Sequence, residues 1–162
     1  MIVLDTNVLS EFMRVEPDTQ VLAWVDAQPA MELAISAITV AEILHGIARL
    51  PFGKRKQKLE AHAMAMFEED FAGRILPFDA HASVEYATLV AGCEANGRTA
   101  SMADAQIAAI CRSHGVPIAT RNVRDFEFPG VEVINPWQAS ALDVRSHAGA
   151  WERTGVITPG SD

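Results

Sequence analysis

Short apolar runs alternate with longer segments of helical period along most of this chain. Ile2-Val-Leu4 is apolar without a polar break, the pattern of a strand covered on both faces, and residues 6–14 read as a helix. Asp18 caps a second helix reaching Ala27, with Val21, Leu22 and Val25 on one face. Residues 33–37 predict a second strand. Residues 39–50 predict an amphipathic helix: Ile43, Leu44 and Ile47 face inward, and Glu42, His45 and Arg49 share the other side. Pro51 and Gly53 break it, and one long helix follows over 54–71. Residues 74–78 give a third strand, and Asp79 caps a helix that ends at Asn96-Gly97. The next helix covers 101–114, with Ala103, Ile107, Ile110 and Cys111 on its core side and Gly115 ending it. Residues 116–119 and 131–134 are the fourth and fifth strands.

Strands that alternate with helices predict an α/β fold: a central, mainly parallel sheet of about five strands with helices on both faces. The pattern fades after residue 138. Residues 1–138 are expected to form the domain, and 139–162 a loosely attached tail.

Composition narrows the picture. The chain has 162 residues, enough for one domain with a real core, and 49% of them are apolar, which argues against disorder. No apolar run approaches a membrane span, and the four-residue apolar start lacks the basic flank of a signal peptide. Cys93 and Cys111 are not spaced as a zinc pair and are expected to stay reduced, so the expected location is cytoplasmic. The net charge of −8 excludes a protein that coats itself in nucleic-acid backbone contacts. A nucleic-acid substrate would need a metal and a local basic patch to neutralise its phosphates.

The chemistry sits where strands give way to helices. Asp5 follows the first strand, Glu42 and Asp104 lie near helix starts, and Asn122 follows the fourth strand. In an open α/β sheet such positions meet in the crevice beyond the strand C-termini. Carboxylates crowded there repel by up to about 4 kcal/mol for a pair at 4 Å and an effective dielectric near 20. A hard divalent cation with oxygen ligands, Mg²⁺ or Mn²⁺, relieves that repulsion. Each residue also has a plainer reading. Asp5 is a good N-cap, and Thr39-Val-Ala-Glu42 and Ser101-Met-Ala-Asp104 both fit a capping box. The two readings are compatible, because a carboxylate in a first helical turn is kept ionised by the dipole. Thr120-Arg-Asn-Val-Arg-Asp125 adds hydroxyl, amide and carboxylate groups, or else an ordinary polar loop. The basic run 54–58 reads as a solvated helix face, the five histidines show no ligand spacing, and Trp24, Trp137 and Trp151 read as packing anchors.

Taken in order, Ile2-Val-Leu-Asp5-Thr-Asn-Val-Leu-Ser-Glu11, Ser36-Ala-Ile-Thr-Val-Ala-Glu42, Ala103-Asp104-Ala-Gln-Ile-Ala-Ala109, Ala119-Thr-Arg-Asn-Val-Arg-Asp-Phe126 and Asn135-Pro-Trp137 resemble a PIN-domain ribonuclease. The likeness is greatest to the VapC toxins of bacterial type II toxin–antitoxin pairs, and to their FitB-like branch. The resemblance implies an RNase using Mg²⁺ or Mn²⁺ held by Asp5, Glu42 and Asp104. The family's fourth acidic place falls at Asn122, with Asp125 three residues on as a second candidate. Thr6, Asn7 and Thr120 are expected to support the cluster, and Arg121 and Arg124 to contact RNA phosphate. Implied partners are an antitoxin with a DNA-binding N-terminal part and a second copy of the chain, as homodimer or hetero-oligomer. Two rivals remain open: an idle RNA- or protein-binding module, and an aspartyl-phosphate phosphatase, whose chemistry wants an aspartate where Asn7 stands.

Overall fold

The structure, a computed structural model, describes residues 1–139. The expected tail therefore lies, apart from Ala139, outside the described residues. Five short parallel strands form one sheet: β1 (Ile2–Leu4), β2 (Leu33–Ser36), β3 (Ile75–Leu76), β4 (Ile118–Ala119) and β5 (Val133–Ile134). Their order is β3-β2-β1-β4-β5, so the chain builds outward from β1 on one side and then crosses to the other. The register places Val3 between Ala34 and Ile118.

Alternation along the strands sorts the core into two layers. Val3, Ala34 and Ile118 face α5 (Ala80–Ala95) and α6 (Met102–His114), where Leu89, Ile107, Ile110 and Phe126 are buried. Leu4, Leu33, Ile35 and Ala119 face the other way. They pack against α1 (Thr6–Glu11), α2 (Thr19–Asp26), α3 (Ala37–Ala48) and α4 (Lys54–Ala65) through Val8, Leu9, Val21, Trp24, Ile43 and Ile47. Both faces of every inner strand are thus covered, which is why the strands read as unbroken apolar runs. Trp24 and Trp137 join this second layer as packing residues; Trp151 lies outside the described residues.

The helix starts are set by side-chain caps. Asp18 and Asp79 accept from the first-turn amides of α2 and α5, as expected. α3 departs from expectation. Its cap is Ser36, whose hydroxyl accepts the Thr39 amide at 2.9 Å, so the helix begins two residues before Thr39. The capping box Thr39…Glu42 does not form. Thr39 is itself a first-turn residue, and Glu42 stands in the second turn, beyond the reach of the helix terminus. Ser101, by contrast, caps α6 and accepts the Asp104 amide at 3.0 Å.

The single helix expected over 54–71 is also corrected. α4 stops at Ala65 and continues as a π-helical turn, Met66–Asp70, closed by the Phe71 amide on the Met66 carbonyl at 3.0 Å. The i to i+5 spacing aligns Met66 with Phe71, so that both, with Phe67, reach the core. Arg74 closes this end by donating to the Asp70 and Ala30 carbonyls. The basic start of α4 is not wholly a solvated face, since Lys56 Nζ donates to the Ala48 carbonyl at 2.7 Å and caps the C-terminus of α3. Cys93 and Cys111 are buried free thiols, and burial pushes Cys111 up to about 12, which suits inert core residues.

Ser36→Ala removes the α3 cap and strands the Thr39 hydroxyl that pairs with it at 2.9 Å in a buried place. We expect a loss of about 1–2 kcal/mol in urea unfolding. Thr39→Ser, which keeps the hydroxyl, is expected to cost well under half of that loss.

Candidate active site

β1 and β4 are neighbours whose connections run to opposite sides of the sheet, so a crevice opens beyond their C-termini. Asp5 leaves β1 at that point. Its amide still donates to the Ala119 carbonyl at 3.0 Å, while its own carbonyl accepts from Val8 and Leu9 and starts α1. Asp5 is thus the last residue of the ladder and the cap of the helix, with its carboxylate turned into the crevice.

That carboxylate is only 5% exposed and held by three residues. Oδ1 accepts the Thr6 amide at 2.8 Å. Oδ2 accepts the Asn7 amide at 2.6 Å and the Thr120 hydroxyl at 2.7 Å. The Thr120 oxygen in turn accepts from Asn7 Nδ2 at 2.9 Å and from the Asn122 amide at 3.0 Å. Both its acceptor positions are filled by N–H groups, so its one proton points to Asp5. Asn7 completes the lattice by accepting the Arg121 amide at 3.2 Å. This small network ties α1 to the segment leaving β4.

Glu42 and Asp104 approach from the other elements. Glu42 Oε2 accepts from the Thr6 hydroxyl, and Asp104 Oδ2 accepts from Ser101 Oγ at 2.5 Å. The acidic residue of the Ser101…Asp104 pair thus binds its cap through the hydroxyl rather than the backbone amide of an ordinary capping box. The three carboxylates line one cleft of about 390 Å³, together with Thr6, Asn7, Asn122 and Arg121. Thr120 stands behind Asp5, fully buried. Arg121 lies over the Trp137 ring at 5.0 Å. Asp125 and Arg124, on a short 3-10 turn at Val123–Phe126, are exposed and take no part in the lining. Three lining residues were not singled out by the sequence: Ser10, Glu11 and Arg14. Glu11 and Arg14 carried a signal, an acid three residues before a base at the end of a predicted helix.

Burial raises Asp5 from 3.8 to about 6 against the pull of Thr120 and Thr6, and the negative charges of Glu42 and Asp104 push the same way. Asp5 therefore resists ionisation in this cleft. The donors of the cleft are carboxylate and amide oxygens, the ligand set of a hard divalent ion. Glu42 Oε1 and Asp104 Oδ1 have no hydrogen bond among the described residues, so each offers a free oxygen. Among the described residues no three His, Cys, Asp or Glu side chains already converge as a closed metal shell. The donor types and the charge of the cleft suit such an ion, and as placed Asp5, Glu42 and Asp104 share the cleft without forming a ligand group.

Comparison with known proteins agrees with this fold. The PIN domain family model matches residues 2–129, and the chain belongs to the PIN-domain family. Over 138 residues the chain is 47% identical to VapC ribonuclease Y4jK of Sinorhizobium fredii, covering 85% of this chain and 99% of that protein. It is 41% identical over 137 residues to Toxin FitB of Neisseria gonorrhoeae, covering 85% and 99%. The structure of FitAB bound to IR36 DNA fragment superposes with a TM-score of 0.81 at 40% identity, covering 86% of this chain and 98% of the other. Among the described residues no helix is long and apolar enough to cross a membrane.

The raised Asp5 gives a pH signature. Because its folded value lies above the unfolded one, the folded state holds the proton more tightly between about 4 and 6. Stability of the metal-free protein should fall as pH rises through that window, by on the order of 3 kcal/mol in the Asp5 contribution, and level off above it. Asp79, lowered mainly by the Ala82 amide, acts in the opposite sense below about 4 and is common to parent and variant. In chelator, the difference between parent and Asp5→Asn unfolding free energies should change across pH 4 to 6. A difference that stays flat there would remove the desolvated, like-charged picture of the cleft.

Proposed function

We propose that this chain is the toxin of a toxin–antitoxin pair and a Mg²⁺- or Mn²⁺-dependent ribonuclease that hydrolyses RNA phosphodiester bonds in the cytoplasm. The observation that carries the reading is the meeting of Asp5, Glu42 and Asp104, from three separate elements, in one cleft at the switch point of the sheet. The printed functions of Y4jK and FitB, at 47% and 41% identity, support the activity and the toxin role.

Asp5, Glu42 and Asp104 would hold the ion, with the Asn122 amide beside them. Bound there, it would polarise a phosphoryl oxygen and lower the pKa of water. The protein's own groups do the rest. Thr120 and Asn7 lock the Asp5 carboxylate in one orientation. The Thr6 hydroxyl orients Glu42, whose free oxygen accepts a proton from the attacking water. Arg121, steadied over Trp137, offers its guanidinium to phosphate from the rim. An aspartyl-phosphate mechanism is disfavoured. Asn7 stands where its second aspartate belongs.

The proposed partner is an antitoxin with a DNA-binding part, supported by the FitAB complex on DNA. A basic segment of such a partner suits a cleft with this charge, and a guanidinium can pair with the carboxylates. We propose that the assembled form is a homodimer or a toxin–antitoxin hetero-oligomer.

Mg²⁺ or Mn²⁺ should raise the melting temperature, by the equivalent of about 2.7 kcal/mol at a hundredfold excess over the dissociation constant. Glu42→Gln keeps the side-chain shape and the contact with Thr6. Since Glu42 caps nothing, it should shift stability by less than about 1 kcal/mol while abolishing Mg²⁺-dependent cleavage of an RNA oligonucleotide. Cleavage by Glu42→Gln at the parent's rate would remove the catalytic assignment. An RNA bound but never cut, with any divalent ion, would favour the idle binding module.

The fourth place is tested separately. Asn122→Asp should tighten Mg²⁺ binding by adding a charge to the cleft, measured by calorimetry. Asp125→Ala, outside the lining, should leave Mg²⁺ affinity within about twofold, given that exposed charges are largely screened. Loss of Mg²⁺ activation in Asp125→Ala alone would move the fourth ligand from Asn122 to Asp125.

A further inference from the structure

Glu11 is a carboxylate in an unfavourable place. It ends α1, where helix carbonyls disfavour an anion, and it is 2% exposed in a cleft that already holds three acids. Both its oxygens are engaged. Oε2 accepts the Asp18 amide at 2.9 Å, and Oε1 accepts Arg14 Nη1 at 2.9 Å. Glu11 thereby ties the start of α2 to the end of α1 and at the same time fixes the position of Arg14. The Arg14 side chain is 58% exposed, so the guanidinium stands at the wall of the cleft with its remaining N–H donors open to solvent. Arg14 and Arg121 are the two cationic side chains among the residues lining the cleft, and each is anchored by a buried or half-buried neighbour, Glu11 for one and Trp137 for the other.

We infer that Arg14, positioned by Glu11, is a substrate-phosphate seat: it binds a backbone phosphate of single-stranded RNA and holds the strand across the cleft opposite Arg121. The inference rests on the ribonuclease reading for its substrate. In an acidic chain of net charge −8, phosphate affinity at the cleft falls on the two guanidinium groups that line it. A guanidinium whose one edge is tied to a carboxylate presents its other edge without further loss of rotamer freedom. Such a contact is made equally in the bound substrate and in the transition state, so it acts on KM rather than on kcat.

The test uses Arg14→Gln and Glu11→Gln in the full chain, with a fluorescent single-stranded RNA oligonucleotide. Binding is read by anisotropy in the Glu42→Gln background with Mg²⁺, and cleavage in the parent background. Arg14→Gln should weaken binding about tenfold and lower the slope of log affinity against log salt by about 0.7, the value for one phosphate contact on a single strand. KM should rise to match, with kcat within about twofold. Glu11→Gln keeps an acceptor for the Asp18 amide but frees Arg14. It should raise KM by a smaller factor, and it should add nothing to Arg14→Gln in the double variant. Equal affinity, salt slope and KM in Arg14→Gln would overturn the inference while leaving the ribonuclease reading intact. A fall in kcat at constant KM would also overturn it. RNA binding that depends on Arg14 in a protein that never cuts would instead keep the seat and sink the nuclease.

Discussion

The hydrogen bond from Thr120 to Asp5 joins the two strands at which the sheet changes direction, and much of the site hangs on it. Asp5 ends β1 and Thr120 directly follows β4, so the bond can exist only if those two strands are neighbours in register. The Thr120 hydroxyl donates in one direction because its acceptor positions are taken by Asn7 and the Asn122 amide. That fixes the Asp5 carboxylate against the pocket wall. The same constraint sets the approach of the Arg121 and Asn122 backbone, since their amides close on Asn7 and Thr120. One buried hydroxyl thereby brings an acid, an amide and a cation to one cleft.

The cost of this arrangement is visible in Asp5 itself. Three donors favour its charged form, yet burial outweighs them and moves it up to about 6. Glu42 and Asp104 add to that rise, so the three acids are mutually hostile when no cation is present. A fold selected for stability alone would have replaced one of them. Keeping all three makes sense if a divalent ion is the fourth member, because its positive charge offsets their mutual repulsion. Local helix physics explains Asp5 and Asp104 in part, since both sit at helix starts and both contact cap positions. It does not explain Glu42, which lies past the first turn and caps nothing.

Much of this was legible from the sequence because strand ends and helix starts carry strong local signals. Ile2-Val-Leu4 followed by Asp5 and Thr6 announces a buried strand running into a capped helix, and the sheet order then brings Asp5 to the crevice. The misreadings share a cause, which is that several residues fit the same local rule. Ser36 and Thr39 are both good caps, and the burial of Ile35 and Ser36 in β2 decided for the earlier one. The helical period of 54–71 did not reveal the π turn, because only the core, by accepting both Met66 and Phe71, rewards the wider spacing. Lys56 was read as solvated because its partners, the carbonyls ending α3, are supplied by a turn whose geometry the sequence leaves open. Asn122 holds the expected place but is an amide, while Asp125 has the charge three residues on, so the sequence leaves the choice open. The short 3-10 turn turns one toward the cleft and the other to solvent.

Glu11 and Arg14 show how a site in an acidic protein manages an anionic substrate. If the substrate is RNA and the cleft holds a metal ion, a basic surface would attract the one but compensate the carboxylates needed for the other. The cleft separates the two tasks. Asp5 lies at a strand end and is only 5% exposed, Glu42 and Asp104 reach the cleft half-buried from α3 and α6, and Arg14 and Arg121 are its exposed cations. Each cation is held by a partner of its own, so neither collapses onto the acids and neutralises them. Arg14 is occupied by Glu11 on one edge only, and Arg121 rests on the Trp137 ring, which takes no hydrogen bond from it. Glu11 thus holds the Arg14 guanidinium at the edge of the cleft without drawing it onto Asp5, Glu42 and Asp104.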